Sequence, residues 1–168
     1  MGTQKGLFEI KLTPQSDLEL EQDCPDLARC GYKKTSERDP SYNCIAWAVG
    51  DTKYNWYDVK IKGYYWPPGV PSADTVEGWI EVFKILNYRE TERRDLEPEF
   101  EKIAIYVTAE GFPEHVARQK ADGVWTSKMG KGIDLDHPTL EAIESDVIGE
   151  AKVIMKRRCK DGKRVPLP

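Results

Sequence analysis

Histidine is almost missing from this chain of 168 residues: His115 and His137 are the two it has. Any imidazole chemistry must therefore use one of them or both. Long apolar runs are missing as well. No segment approaches the roughly 20 residues that cross a bilayer, so no membrane partner is expected. Positive charge is not in excess, with 25 Lys and Arg against 29 Asp and Glu and a net charge of −4. That balance argues against a nucleic-acid binder driven by phosphate neutralisation. There is no Gly-rich phosphate loop and no internal repeat. Cysteine is limited to Cys24, Cys30, Cys44 and Cys159. Cys24 and Cys30 enclose five residues, wider than the usual zinc-knuckle spacing. They read as incidental loop cysteines, and neither a metal nor another cofactor is expected. No charged-then-apolar leader opens the chain, since Leu7-Phe8-Glu9-Ile10-Lys11-Leu12 alternates instead. The expectation is a cytoplasmic protein with reduced thiols.

What is present fits one domain over residues 25–158, an extension over 1–24 and a basic tail over 159–168. The alternation at Phe8, Ile10 and Leu12 suits a short edge strand. Asp17, Glu19, Glu21 and Asp23 read as a solvated acidic face. Tyr42-Asn43-Cys44-Ile45-Ala46-Trp47-Ala48 follows a Pro-bounded polar stretch, and Ser41 or Asn43 can cap a helix there. Residues 51–71 concentrate Tyr54, Trp56, Tyr57, Tyr64, Tyr65 and Trp66 before Pro67-Pro68-Gly69. Such a loop walls a cleft or is pinned to the core by its rings; sequence does not separate the two. Ser72 caps an amphipathic helix carrying Val76, Trp79, Ile80, Phe83 and Leu86.

From Lys102 the period becomes that of strands. Ile103, Ile105 and Val107 alternate, and Gly111-Phe112-Pro113 breaks the run. The next two strands flank Ala121-Asp122-Gly123, a three-residue hairpin loop with Gly at the position that favours positive φ. That register pairs Ala117 with Ser127 and Lys120 with Val124. It puts His115, Ala117, Gln119, Trp125 and Ser127 on one face and points Arg118 and Lys128 away from it. Asp136 or His137 caps a short helix from Pro138. Ala151 to Met155 is a last strand, running into a solvated basic end.

A cysteine in the first turn of a helix is biased toward thiolate by the unpaired backbone N–H groups there. A thiolate nucleophile needs a base that later acts as acid, and imidazole has the matching pKa. Cys44 and His115 are complementary in this sense, while His137 sits beside Asp134 and Asp136 as a helix cap. The bland alternative is that Cys44 is a small buried hydrophobe and His115 a structural residue beside a turn.

A helix-borne Cys followed by an antiparallel sheet whose second strand opens with His resembles the papain-like fold, in its NlpC-type branch. Residues 42–48, Tyr65-Trp66-Pro67-Pro68-Gly69, His115-Val116-Ala117-Arg118-Gln119 and Trp125-Thr126-Ser127-Lys128-Met129-Gly130 also resemble a group of small bacterial proteins. This narrower likeness covers about residues 25–157. The resemblance implies an α+β papain-like core and a cysteine hydrolase or acyltransferase acting on an amide or ester. Cys44 would be nucleophile, His115 base and acid, and Ser127 the orienting group; Asn43, Trp47, Trp66 and Gln119 would contact substrate. Two departures stand out: Ser127 where the family has a stronger acceptor, and Asn43 where the cell-wall enzymes carry Asp. The second expectation is a non-catalytic protein-interaction module, using the Trp/Tyr/Pro surface.

Overall fold

The computed structural model describes residues 13–160; the strand expected over Phe8–Leu12 lies outside them. In chain order come α1 (Asp17–Asp23), α2 (Asp26–Cys30), β1 (Lys33–Lys34), α3 (Cys44–Val49), β2 (Asn55–Trp56) and β3 (Tyr64–Tyr65). Then follow α4 (Val76–Ile85), β4 (Arg89–Thr91), β5 (Phe100–Val107), β6 (Pro113–Gln119), β7 (Trp125–Lys128) and β8 (Asp134–His137). A 3-10 turn over Glu141–Ile143 and β9 (Glu150–Arg158) complete the order.

Among the described residues, seven strands form one sheet in the order β1-β8-β7-β6-β5-β9-β4. Every neighbouring pair in it is antiparallel. The expected papain-like α+β core is therefore not what this chain builds. The large antiparallel sheet dominates, α4 is the longest helix at ten residues, and the Cys44 helix has six. That helix ends early because Gly50 takes a left-handed conformation, φ 88° and ψ 25°, and its N–H turns back to Ala46 and Trp47. His115 does not open its strand either. β6 begins at Pro113, and a bulge at Glu114 separates the Val107–Pro113 pair from the Tyr106–His115 pair.

The central strands are covered on both faces, so each sends alternate side chains into two different cores. From β5 and β6, Ile103, Ile105 and Val116 face a layer made by α3 and α4, against Cys44, Ile45, Trp79 and Phe83. Ala104, Tyr106 and Ala117 face the other layer, against Leu20, Leu27, Leu140 and Ile143. Burying a side chain such as Phe83 completely contributes about 1.5–3 kcal/mol over leaving it in water. Residues 17–24 are part of this packing, because Leu20 and Cys24 lie in the core. Of the acidic residues of α1, Asp17 and Glu19 are exposed, while Glu21 and Asp23 are half-buried. The hairpin register is as the sequence implies: Lys120 N–H donates to Val124 O at 2.7 Å, and Arg118 pairs with Thr126.

Three local expectations change. The cap of α4 is Thr75, whose Oγ1 accepts from Gly78 N–H, while Ser72 makes a tight turn just before it. Asp136 and His137 belong to β8, and only a single 3-10 turn follows them. The basic end stays in β9 up to Arg158: Lys156 pairs with Glu97 of the connection before β5 at 2.9 Å, and Arg157 with Glu101 of β5 at 2.6 Å. Gly78 supplies a test of the close turn at Ser72. Alanine would gain about 1 kcal/mol of helix propensity, yet its Cβ would strike the carbonyl oxygens of Ser72 and Pro71. Gly78→Ala should lower stability by more than about 1 kcal/mol in urea unfolding; a neutral or stabilising result would show that the turn yields.

Candidate functional site

Pairing places the sequence candidates in two groups. Tyr106 lies opposite His115 and Arg118 opposite Thr126, so His115, Ala117 and Ser127 share the face that carries Tyr106. Cys44 packs with Ile103, Ile105 and Val116 on the other face. The sheet brings His115 and Ser127 together at 2.8 Å and stands between them and Cys44. Cys44 and His115 are each fully buried.

On the His115 side the hydrogen bonds fix both imidazole tautomers. The Thr139 carbonyl can only accept, so His137 Nδ1 carries a proton and donates to it at 2.8 Å. Neutral His137 then accepts from the Ser127 hydroxyl through Nε2 at 2.8 Å. Ser127 Oγ in turn accepts from His115 Nε2–H at 2.8 Å. His115 Nδ1 is left as a bare lone pair, buried and without a hydrogen-bond partner. The Tyr106 ring meets His115 edge-on at 5.5 Å, and its hydroxyl donates to Leu140 O. Burial, with His137 adding to it, holds the His115 pKa down to about 3. Burial also lowers His137, to about 4, against the opposing effects of Thr139 O and Asp136. His137 is thus a strand residue in a buried chain, not a cap; its place after Asp134 and Asp136 and before Pro138 hid this.

On the other side, Asn43 is a structural joint. Its Oδ1 accepts from Ala46 N–H and Trp56 N–H, and its Nδ2 donates to Trp56 O at 2.9 Å. Trp47 Nε1 donates to Thr126 Oγ1 at 3.3 Å. Trp66 packs beside the Cys44 cluster and donates to Pro71 O. Gln119 lies on the His115 face and ties the hairpin to Arg94 O and Gly123 O. In the aromatic loop, Trp56 Nε1 donates to Asp51 and the Tyr57 hydroxyl to Asp74, so polar handles pin its rings.

Two residues absent from the sequence candidates complete this side. Lys128 is fully buried; its ammonium donates to Asp39 O at 2.6 Å and to Gly132 O, and lies 4.5 Å from the Tyr42 ring centre. Burial lowers its pKa, with Asp134 and Asp39 opposing. Asp134 is 3% exposed, and its Oδ2 accepts from the Tyr42 hydroxyl at 2.7 Å. Burial raises the Asp134 pKa despite Tyr42 and Lys128. The hairpin register puts Lys128 on the face away from His115 but does not mark it for burial, and Asp134 stands in a stretch with no strand period of its own. A cleft of about 480 Å³ opens here, lined by Tyr42, Trp47, Thr126, Asp39, Asp134 and Asp136 among others.

Residues 33–156 match a family model described as Domain of unknown function (DUF7689). The chain belongs to that family. The family's span takes in the whole sheet from β1 almost to the end of β9, with Cys44, the buried histidines and the cleft. No curated protein matches the chain, and no solved structure does. Cys24 is buried in the core, where desolvation pushes its thiol up to about 12, whereas Cys30 is exposed. No group of three or more His, Cys, Asp and Glu suited to a metal ion occurs among the described residues, and none of their helices is long and apolar enough to cross a membrane.

The histidine chain makes stability depend on pH with a definite sign. Both imidazoles titrate lower in the folded protein than the ordinary 6.5. The unfolded chain therefore binds protons first, and their contribution is complete above pH 6.5 and lost as pH falls through about 4 toward about 3. The urea midpoint should drop across that window, and His115→Gln should flatten the drop. A midpoint equally steep in the variant would mean that carboxylates alone set the acid limb.

Proposed function

We propose that this domain is a non-catalytic recognition module that binds its partner in the cleft between α3 and strands β7 and β8. The observation that carries this reading is the separation of Cys44 from His115 by the sheet. A Cys–His mechanism needs the two groups within hydrogen-bond reach, about 2.6–3.2 Å, or joined through one water. Here the imidazole spends Nε2 on Ser127, faces Tyr106 and is held neutral by burial. Asn43, expected to contact substrate, has its Oδ1 engaged by the N–H groups of Ala46 and Trp56 and one Nδ2 hydrogen by Trp56 O. The cleft, by contrast, is lined by two largely buried aromatic rings, a hydroxyl, the buried carboxylate of Asp134 and the partly exposed carboxylates of Asp39 and Asp136. Such a mixture orients a ligand by a few polar contacts against an apolar wall.

Alkylation of Cys44 by iodoacetamide tests the non-catalytic reading, with Cys24, Cys30 and Cys159 replaced by Ser. The expected result is slow labelling, with the same pH profile in His115→Gln. Fast labelling with a midpoint well below the roughly 8.5 of an ordinary thiol, lost in His115→Gln, would overturn it and restore the hydrolase.

A further inference from the structure

Deepening the recognition reading just given, we infer that the cleft takes an organic ammonium group, with Asp134 as its counter-ion. Three observations converge. Asp134 lines the cleft, is buried to within 3% of its surface, and its Oδ1 has no hydrogen-bond donor. Its cationic neighbour does not supply one: Lys128 Nζ lies 4.0 Å away, and its hydrogen bonds go to the carbonyls of Asp39 and Gly132. A buried carboxylate left short of donors is costly, and an incoming N–H group relieves that cost.

The charge of the lining points the same way. It carries Asp39, Asp134 and Asp136 against a single ammonium, Lys120, which is committed to Asp136 at 2.6 Å. An anionic ligand would meet this excess of carboxylate, whereas a cation is drawn to it. The third observation is the aromatic wall. Tyr42 and Trp47 both line the cleft, with ring centres 5.8 Å apart and planes tilted by 31°. Each is held by its own polar handle, Tyr42 on Asp134 and Trp47 on Thr126. Rings fixed in this way offer the alkyl part of an amine apolar contact at little entropic cost and attract its charge. Aliphatic diamines and the lysine side chain of a protein share this chemistry.

The experiment follows the Trp47 indole N–H in nitrogen-15 NMR spectra of the whole chain during titration. The probes are N-acetyl-lysine methylamide, its norleucine counterpart and cadaverine. Saturable shifts with the lysine compound and none with the norleucine compound are expected. Asp134→Asn should weaken the lysine compound at least about tenfold, the loss of one charged hydrogen bond, with the remaining spectrum unchanged. Cadaverine binding as tightly as the lysine compound would identify a free amine as the ligand; weaker binding would identify a protein side chain. Equal binding of the norleucine compound, or no shift with any probe, overturns the inference, and the norleucine comparison needs no variant to fold. Cys44 labelling stays slow in that event, so failure of this inference is distinct from failure of the recognition reading.

Discussion

A strand buried on both faces must send neighbouring side chains in opposite directions, and this constraint governs the molecule. β5 and β6 are such strands, so a shift of one residue along either exchanges one core for the other. Val116 goes to the layer of α3 and α4, and His115, one position earlier, goes to the layer of α1, α2 and the 3-10 turn. The pairing with β9 on one side and β7 on the other holds that choice in place. No side-chain rotation brings His115 through the sheet to Cys44.

The polar groups on the two faces are managed differently. On the histidine face the hydrogen bonds form one directed chain from His115 through Ser127 and His137 to Thr139, with a single lone pair left over. Neutral imidazoles suit such a site because charge there would have no counter-ion. On the helix face the buried groups carry full charges. Lys128 is matched mainly by carbonyl dipoles and an aromatic ring, leaving Asp134 under-compensated beside an open cleft. The first arrangement favours a closed, rigid layer, and the second leaves room for a ligand.

Much of the local structure was legible because it rests on nearest-neighbour rules. Gly123 closes the hairpin at φ 88° and fixes its register, as its place after Ala121-Asp122 implies. Asn43 caps the helix that begins at Cys44, and Val76, Trp79 and Phe83 line one face of α4. The fold class was not legible. The two-residue β1 and the three-residue β4 are too short to show a period, yet they extend the sheet at both edges. The Cys44 helix looked central because its residues are apolar, although Gly50 stops it after six.

The sequence by itself determined the hairpin, the cap region before Cys44 and the fact that His115 and Ser127 share a face, since each follows from the spacing of residues close along the chain. Only the tertiary structure decided which face receives α3. Helix and sheet meet there across connections whose length leaves either side of the sheet open. That one choice separates Cys44 from His115 and sets Tyr42 and Trp47 beside the carboxylate of Asp134, while the pairing of β7 with β8 joins His137 to Ser127.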